Sequence, residues 1–304
     1  MKKYGFKSRE VRSIFTKRNN ERKLFLEDFT INPYLGCSFN CSYCYINGSK
    51  YAGSTDSYYV KSNAIELTKS ELKKLVKNNK KGFVCFGSAT DPYQDIESEL
   101  YLTRDLLKLV NRFHFPVHIL TKSDLVLRDT DILKKINQPL TNLPDDLDLD
   151  TKVYVSFSFS TLDENQRKIF ESSAPSIKRR LNAIKILKNN DFKVGVSFMP
   201  ILPFIADSNN ELNKAMDVFS NIGVDYIVPG SMSLFGNGLN DSRVKYFNLI
   251  KRYYPEHYED TRDLFFNKKT SRYNNYPPTS YQNNLLRRIS KIAKEYNIKT
   301  SMFS

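Results

Sequence analysis

Three of the four cysteines in this 304-residue chain lie within eight residues, at Cys37, Cys41 and Cys44. Thiolates with this C-x3-C-x2-C spacing are close enough to ligate three irons of one cubane iron–sulfur cluster. A [4Fe–4S] cluster normally takes four cysteines, and no fourth cysteine is nearby, so one iron would stay open to a small molecule. An open coordination position marks a reactive site, as it does in catalytic zinc enzymes. The spacing therefore predicts a [4Fe–4S] cluster that takes part in chemistry.

Two other uses of these cysteines are a structural zinc site and three unrelated thiols in a protein core. Zinc sites usually combine one Cys-x2-Cys pair with a second such pair or with paired histidines. The histidines of this chain are His114, His118 and His257, and none belongs to such a pair. Disulfides are typical of small secreted domains, and nothing in this long chain marks secretion. The cluster is therefore the interpretation that fits the pattern best.

The cysteines belong to a longer motif that reads Asn-Pro-Tyr-x-Gly-Cys-x3-Cys-x-Tyr-Cys-Tyr from Asn32 to Tyr45. This motif resembles that of the radical S-adenosylmethionine (radical SAM) enzymes, in the branch around spore photoproduct lyase and its short relatives. The resemblance covers about residues 29–230. It implies that S-adenosylmethionine chelates the open iron, and that one electron from the reduced cluster cleaves it to methionine and a 5′-deoxyadenosyl radical. It also implies a reductant such as flavodoxin or ferredoxin.

Residues after the second and third predicted strands are candidates to bind S-adenosylmethionine. The string Thr-Asp-Pro-Tyr-Gln matches the short relatives, and the resemblance implies that Thr90 and Asp91 bind the cofactor's amino group. Their oxygens are suitable acceptors for an amine. The same residues fit an Asx-Pro turn before a helix, and both descriptions can hold together. Lys122 matches a lysine that anchors the methionine carboxylate in the lyase, and the alternative is an exposed lysine at a strand end.

Four further residues are candidates through the same resemblance. Ser158 matches the family's ribose-binding serine. Arg180 is a candidate to hold Glu171 or the cofactor, with a surface salt bridge as the alternative. Tyr43 matches the aromatic residue that packs near the adenine, and its alternative role is packing within the loop. Tyr45 is the candidate catalytic residue, because the lyase also has a tyrosine there that could join a radical relay.

One position departs from the lyase. The lyase carries a cysteine, which donates a hydrogen atom to the substrate radical, two residues before the position that matches Thr90. This chain has Ser88 there, and its O–H bond is too strong to serve in the same way. Cys85 lies three residues earlier, so in an extended strand its side chain points to the opposite face. We therefore expect that this chain is not a spore photoproduct lyase, and we interpret Cys85 as a core thiol.

The formal net charge is +14, and most of it lies at the two ends of the chain. Residues 1–27 carry a net charge of +6 and residues 240–304 carry +7. Basic ends are typical of proteins that bind phosphates or another anionic partner, although a solvated lysine-rich surface gives the same pattern. No apolar run is long enough to span a membrane, and the start of the chain lacks the apolar region of a signal peptide. We expect a cytoplasmic protein without membrane contact.

Short apolar segments alternate with amphipathic ones through most of the chain, which predicts strands and helices in turn. The six predicted strands cover residues 29–34, 83–86, 116–121, 153–160, 193–199 and 224–228. Such alternation predicts a parallel sheet with right-handed crossovers. The expected fold class is therefore α/β, a partial (β/α)6 TIM-like barrel, which the resemblance also implies. Loops at the carboxyl ends of the strands would build the active site.

Three segments make up the expected domain organisation. Residues 1–28 form a basic N-terminal arm, which we predict to be partly helical. Residues 29–230 form the radical SAM core. Residues 231–304 form a helical C-terminal extension that closes the open side of the barrel, with helices over 240–254, 256–266 and 281–296.

Three functions remain open from the sequence. The first, favoured by the kinship with the lyase and by the two basic ends, is a radical SAM enzyme that abstracts a hydrogen atom from a nucleic acid or nucleotide. The second is a radical enzyme that modifies a peptide or a small molecule, with basic ends that only aid solubility. The third is a non-catalytic iron–sulfur protein that senses redox state or iron.

Overall fold

The computed structural model describes residues 5–17, 24–49, 57–138, 143–145, 147 and 149–303. The strands are β1 (Phe6–Arg9), β2 (Phe15–Lys17), β3 (Phe29–Ile31), β4 (Tyr34–Leu35), β5 (Tyr58–Lys61), β6 (Val84–Phe86), β7 (Val117–Thr121), β8 (Val153–Phe159), β9 (Lys193–Phe198), β10 (Tyr226–Pro229), β11 (Phe266–Asn267) and β12 (Arg272–Tyr273). The main sheet has the strand order β10-β9-β8-β7-β6-β3-β2. Six of its strands, β3 and β6–β10, overlap the predicted strands and run parallel, which confirms the α/β fold class. The first predicted strand is shorter than expected, because β3 ends at Ile31 and Tyr34 belongs to β4 of a separate sheet.

Helices follow the strands and cover one face of the sheet. They are α1 (Ala64–Lys77), α2 (Glu97–Leu100), α3 (Leu102–Arg112), α4 (Thr130–Ile136), α5 (Glu164–Phe170), α6 (Ile177–Lys188), α7 (Asn209–Asn221), α8 (Ser242–Tyr253), α9 (Tyr258–Phe265) and α10 (Thr279–Glu295). Local capping sets several of the starts. The side chains of Asp163, Ser176 and Ser208 accept hydrogen bonds from backbone N–H groups in the first turns of α5, α6 and α7. These caps satisfy donors that would otherwise lack a partner.

The helix predicted for the N-terminal arm is wrong at the described residues 5–17. Strand β1 pairs in parallel with β5 in a small sheet, and β2 pairs antiparallel with β3 at the edge of the main sheet. Phe6 and Ile14 are both buried, but in separate cores. A strand edge offers unpaired backbone groups, and a short extended segment can satisfy them more fully than one turn of helix can. Residues 1–4 and 18–23 of the predicted arm lie outside the described residues.

The face of the main sheet turned away from the helices forms the inner face of the partial barrel. It carries aromatic and polar side chains in one buried chain of contacts. The Sγ atom of Cys85 lies 4.0 Å from Nδ1 of His118, and Nε2 of His118 lies 2.8 Å from Oγ of Ser156. The Tyr226 hydroxyl lies 2.8 Å from the same Ser156 oxygen. Cys85 is completely buried in this layer, and burial also lowers the pKa of His118 to about 3.

Gly195 gives the Tyr226 ring its place on the inner face. A β-carbon built on Gly195 would lie 2.1 Å from a ring carbon of Tyr226, which no real contact allows. We expect Gly195→Ala to lower the free energy of unfolding by about 1–3 kcal/mol, the usual cost of overpacking a core. Urea unfolding would measure this loss. In a Tyr226→Ala background the same glycine substitution should cost much less, and equal costs in both backgrounds would contradict the steric explanation.

The C-terminal region contains helices α8, α9 and α10, close to the three predicted spans. The stretch between α9 and α10 contains the short β11–β12 hairpin. Two side chains of α10 bind Asp207 in the loop before α7. Tyr281 donates a 2.6 Å hydrogen bond to the Asp207 carboxylate, and Arg288 donates a 2.7 Å hydrogen bond to the Asp207 backbone carbonyl. The extension is therefore anchored beside β9 and β10. None of the helices within the described residues has the length and apolar character to cross a membrane.

Candidate cluster and cofactor site

Cys37, Cys41 and Cys44 occupy one loop between β4 and β5, at the carboxyl edge of the main sheet. All three have free thiols, and all three line one cavity of about 210 Å³. Two tight turns shape the loop, because the backbone N–H groups of Asn40 and Cys44 donate to the carbonyls of Cys37 and Cys41. The loop therefore directs its three sulfur atoms to a common space.

Side chains from the neighbouring segments fix this loop. Gln94 is fully buried, and its amide accepts a 2.8 Å bond from the Ser38 N–H and donates to the Gly36 carbonyl at 3.4 Å. The Ser42 N–H donates to the carbonyl of Phe170 at the end of α5. Gly48 has φ +88°, and a β-carbon there would lie 2.6 Å from the Phe235 carbonyl oxygen. Only glycine permits this close contact between the loop and the C-terminal extension.

Burial dominates the electrostatics of the three thiols. It raises the pKa of Cys37 to about 12, and nearby Asp91 adds to the effect. Burial also raises the pKa of Cys41 and Cys44, while the positive charge of Lys122 acts against it in both cases. Cys44 further raises the pKa of Cys37, and Cys37 and Cys44 raise that of Cys41, so negative charges on the thiols would repel one another. Iron removes this conflict, because a coordinated thiol is deprotonated by the metal's charge. The residues present therefore fit an iron–sulfur cluster.

A single metal ion fits less well. Among the residues that the structure describes, no three His, Cys, Asp or Glu side chains are arranged to hold one ion. In a cubane cluster each thiolate binds a different iron, so the sulfur ligands lie farther apart than around one ion.

Glu171 connects the cysteine loop to the rest of the site. It is completely buried, and it accepts hydrogen bonds from the Tyr43 hydroxyl, from Ser160 at 2.8 Å and from Arg180 at 2.5 Å. The ammonium of Lys122 lies 3.4 Å away. Burial alone would raise the pKa of Glu171, but Arg180 and Lys122 outweigh it and lower that pKa to about 2. The carboxylate therefore stays ionised and ties these four side chains together.

Arg180 is fully committed to the protein. Besides its bond to Glu171, it donates to the carbonyl oxygens of Pro175 at 2.9 Å and Ser158 at 3.0 Å. The structure thus shows Arg180 holding Glu171, one of its two predicted roles. Tyr43 packs within the loop and bonds to the same carboxylate.

The predicted cofactor ligands line the carboxyl ends of β6, β7 and β8. The Asp91 carboxylate accepts bonds from the Tyr93 N–H at 2.9 Å, the Thr121 hydroxyl at 2.8 Å and the Lys122 N–H at 2.7 Å. The Asx turn is therefore present. The Lys122 ammonium donates a 2.6 Å hydrogen bond to the Ser158 hydroxyl, which brings the two predicted cofactor ligands together. The Lys122 charge is close enough to the cysteine loop to act on the pKa of Cys41 and Cys44.

Tyr45 lies above the position where the chain departs from the lyase. Its hydroxyl donates to the carbonyl oxygen of Ser88, and its side chain is partly exposed. The Ser88 hydroxyl accepts a 3.1 Å bond from Asn32, and Asn32 also receives the N–H groups of Ala89 and Thr90 at 2.9 and 3.2 Å. Tyr45 and Ser88 are therefore joined by a hydrogen bond, next to Ala89 and Thr90, which line the cysteine cavity.

Comparison with known proteins decides the family. A family model described as the Radical SAM superfamily matches residues 31–216, which is more than half of the chain. The chain belongs to the radical SAM superfamily. Radical SAM proteins use a [4Fe–4S] cluster and S-adenosylmethionine, so these are the cofactors of this chain. Radical SAM enzymes also need an electron donor.

Similar sequences and structures agree with this assignment. An uncharacterised protein of Methanocaldococcus jannaschii is 30% identical over 248 residues, which cover 79% of this chain and 82% of that protein. An uncharacterised protein of Mycobacterium tuberculosis is 25% identical over 278 residues, which cover 89% and 75%. A spore photoproduct lyase variant solved with bound AdoMet and dinucleoside spore photoproduct has a TM-score of 0.65 at 16% identity, and the match covers 96% of this chain and 79% of that one. This last likeness shows that the two proteins share a fold.

The radical SAM motif led sequence reasoning to the cysteines but not to the residues that support them. Gln94 and Asn32 belong to the quoted strings, and their hydrogen bonds hold the loops. Glu171 was expected only as a possible partner of Arg180, and its further contacts with Tyr43, Ser160 and Lys122 had no sequence signal. Lys61 and Lys245 line the cysteine cavity without any sequence signal.

Proposed function

We propose that this chain is a radical SAM enzyme that cleaves S-adenosylmethionine reductively and abstracts a hydrogen atom from a nucleic acid or nucleotide. The convergence of Cys37, Cys41 and Cys44 on one cavity carries the proposal. In this assignment the three thiolates hold the [4Fe–4S] cluster and leave one iron for the cofactor. When bound, the cluster and S-adenosylmethionine supply a 5′-deoxyadenosyl radical; the protein supplies binding and orientation.

The residues next to the cysteine loop are suited to hold S-adenosylmethionine. Lys122 presents an ammonium to the methionine carboxylate. Ser158, which accepts a hydrogen bond from Lys122, presents a hydroxyl to the ribose. Thr90 and Asp91 present oxygens to the amino group. Glu171 and Arg180 act as positioning residues, because they fix Lys122 and Tyr43 relative to each other. Tyr45 is the candidate for passing a hydrogen atom at the mouth of the site.

Charge and likeness support a nucleic acid or nucleotide as substrate. The lyase structure with a similar fold was solved with a dinucleoside spore photoproduct bound. Strand β1 of this chain exposes Lys7 and Arg9, and it borders β5, which lines the cysteine cavity. Positive charge near a site favours phosphate backbones and makes binding depend on salt. The serine at position 88 argues for a reaction other than that of the lyase.

Two measurements test this proposal. The purified protein, reconstituted with iron and sulfide without oxygen, should form 5′-deoxyadenosine when dithionite and S-adenosylmethionine are added. Binding to single-stranded and duplex oligonucleotides should weaken steeply as salt rises. A fully loaded cluster that yields no 5′-deoxyadenosine would contradict the enzymatic proposal. Absent or salt-independent oligonucleotide binding would contradict the proposed substrate class alone.

Lys122→Gln should weaken S-adenosylmethionine binding to the loaded protein. Removal of one partner from a buried, hydrogen-bonded charge pair costs about 2–5 kcal/mol, so we expect the Kd to rise by about 30-fold or more. Equilibrium dialysis with labelled cofactor would measure the change. Lys188→Gln is the matched control. Lys188 is the last residue of α6 and forms a partly exposed ion pair with Asp225, so its substitution should leave the Kd unchanged. A Kd like that of the unmodified protein would remove Lys122 from the cofactor site.

A further inference from the structure

Lys61 is a buried cation that lines the cavity of the three cysteines. Lys61 is the last residue of β5 and is only 8% exposed. Within the described part of the chain, its ammonium has no hydrogen-bond acceptor and no carboxylate within ion-pair distance. Burial alone lowers its pKa to about 8. Unpaired buried charges are costly, so a position of this kind is expected to face a negative group.

Backbone pairing holds Lys61 firmly in place. Its N–H donates to the Pro33 carbonyl at 3.1 Å, and β5 pairs with β1 on one side and β4 on the other. Val60, the residue before Lys61 in β5, points into the small apolar core. Because successive side chains of a strand alternate, the side chain of Lys61 points to the opposite face. Lys61 lines the cavity that the three cysteines share.

Lys245 reaches the same cavity from the C-terminal extension. It lies in α8, one turn after the helix begins, and its ammonium lies 3.4 Å from the side-chain oxygen of Asn40 in the cysteine loop. The same positive charge acts against the burial that raises the pKa of Cys44, so the two groups are close. Lys61 and Lys245 therefore bring positive charge to one cavity from two distant parts of the chain.

A cluster in this cavity would be the missing negative group. Three thiolates outweigh the positive charge of the oxidised [4Fe–4S] core, so the bound cluster carries net negative charge, and one-electron reduction makes that charge more negative. Net charge and hydrogen bonding near a cluster are among the factors that set its reduction potential. A nearby cation stabilises the reduced form more than the oxidised form, because the Coulomb attraction grows with the negative charge.

We propose that Lys61 and Lys245 are positioning residues that raise the reduction potential of the cluster held by Cys37, Cys41 and Cys44. This inference rests on the proposed function, since it requires the cluster at those cysteines. The step that they assist is a simple one-electron transfer, in which an external one-electron donor is oxidised and the cluster is reduced without making or breaking a covalent bond. The C-terminal extension thereby gains a direct electrostatic role at the site.

The test is an anaerobic redox titration of the reconstituted protein, followed by electron paramagnetic resonance of the reduced cluster. We expect Lys61→Gln/Lys245→Gln to lower the equilibrium constant for reduction by tenfold or more, a shift of about 59 mV towards more negative potential. Lys61→Gln alone should give the larger single shift, because water screens its charge less. Lys61→Arg and Lys245→Arg should remain close to the unmodified protein.

Lys152→Gln is the matched control. Lys152 is also buried, with burial lowering its pKa to about 8, but it lies just before β8 at the opposite edge of the sheet. Its substitution should leave the potential unchanged. A potential for the double variant equal to that of Lys152→Gln would overturn the inference, as would an unchanged potential combined with weaker S-adenosylmethionine binding. Iron content, measured on every sample, keeps this failure distinct from failure of the proposed function, in which the unmodified protein would hold no cluster.

Discussion

Cys44→Ala should abolish both cluster binding and the formation of 5′-deoxyadenosine. The three thiolates already leave one iron of a [4Fe–4S] cluster without a protein ligand. Removing the Cys44 thiolate would leave a second iron without one, which should prevent stable assembly. We expect the iron content after reconstitution to fall from about four per chain to a small fraction of that value. Iron analysis and the visible absorption of the cluster would measure the loss, and chromatography would measure the nucleoside.

Cys85→Ala is the matched control for this experiment. Cys85 is completely buried on the inner face of the sheet, against His118, and it does not line the cavity of the other three cysteines. Its removal should cost some stability but leave the iron content intact. Equal iron loss in both variants would show that the cluster depends on general folding and not on the cysteine loop. Full iron retention in Cys44→Ala would place the cluster elsewhere.

The second large effect should come from Arg180→Gln, through stability. Arg180 and Glu171 are each about 1% exposed and form a 2.5 Å ion pair. Removing one partner of a buried pair leaves the other charge buried without full compensation, which usually costs about 3–5 kcal/mol. We expect a fall of this size in the free energy of unfolding, measured by urea denaturation of the protein without its cofactors.

Arg179→Gln provides the comparison, because the neighbouring arginine forms its ion pair at the surface. The Arg179 side chain is 60% exposed, and its bond to Asp124 is 2.6 Å long. Exposed pairs contribute about 0–1 kcal/mol, so this variant should unfold almost as the unmodified protein does. Similar losses in the two variants would mean that Glu171 does not organise the site. If only Arg180→Gln lowers the free energy of unfolding, the buried contacts of Glu171 stabilise the proposed cofactor site.

The arrangement around Glu171 suggests how binding at one part of the site reaches another. Tyr43 belongs to the cysteine loop, and Lys122 belongs to the edge proposed for the cofactor carboxylate. Both contact the same buried carboxylate. A change at either residue therefore alters the electrostatic surroundings of the other through a single, rigidly held group. Such sharing is expected where a cluster and its cofactor must lie in direct contact.

The sequence by itself determined the family, the cluster motif and the positions of the main strands along the chain. The C-x3-C-x2-C spacing carries its chemistry within eight residues, so no tertiary information is needed to recognise it. The buried parallel strands appear as short continuous apolar runs, such as Val84–Phe86, because both of their faces are covered. Their alternation with capped helices such as α6 then limits the fold to a parallel α/β sheet.

Only the tertiary structure decided which distant side chains meet. Residues 6–9 and 15–17 form strands because sheet edges were available for pairing, a factor that local propensity does not contain. Lys61 and Lys245 are separated by most of the chain, yet they line one cavity, since α8 docks on the cysteine loop. Glu171 likewise gains its partners from three segments. Contacts of this kind depend on packing between elements, and the energy of a buried charge depends on them in turn.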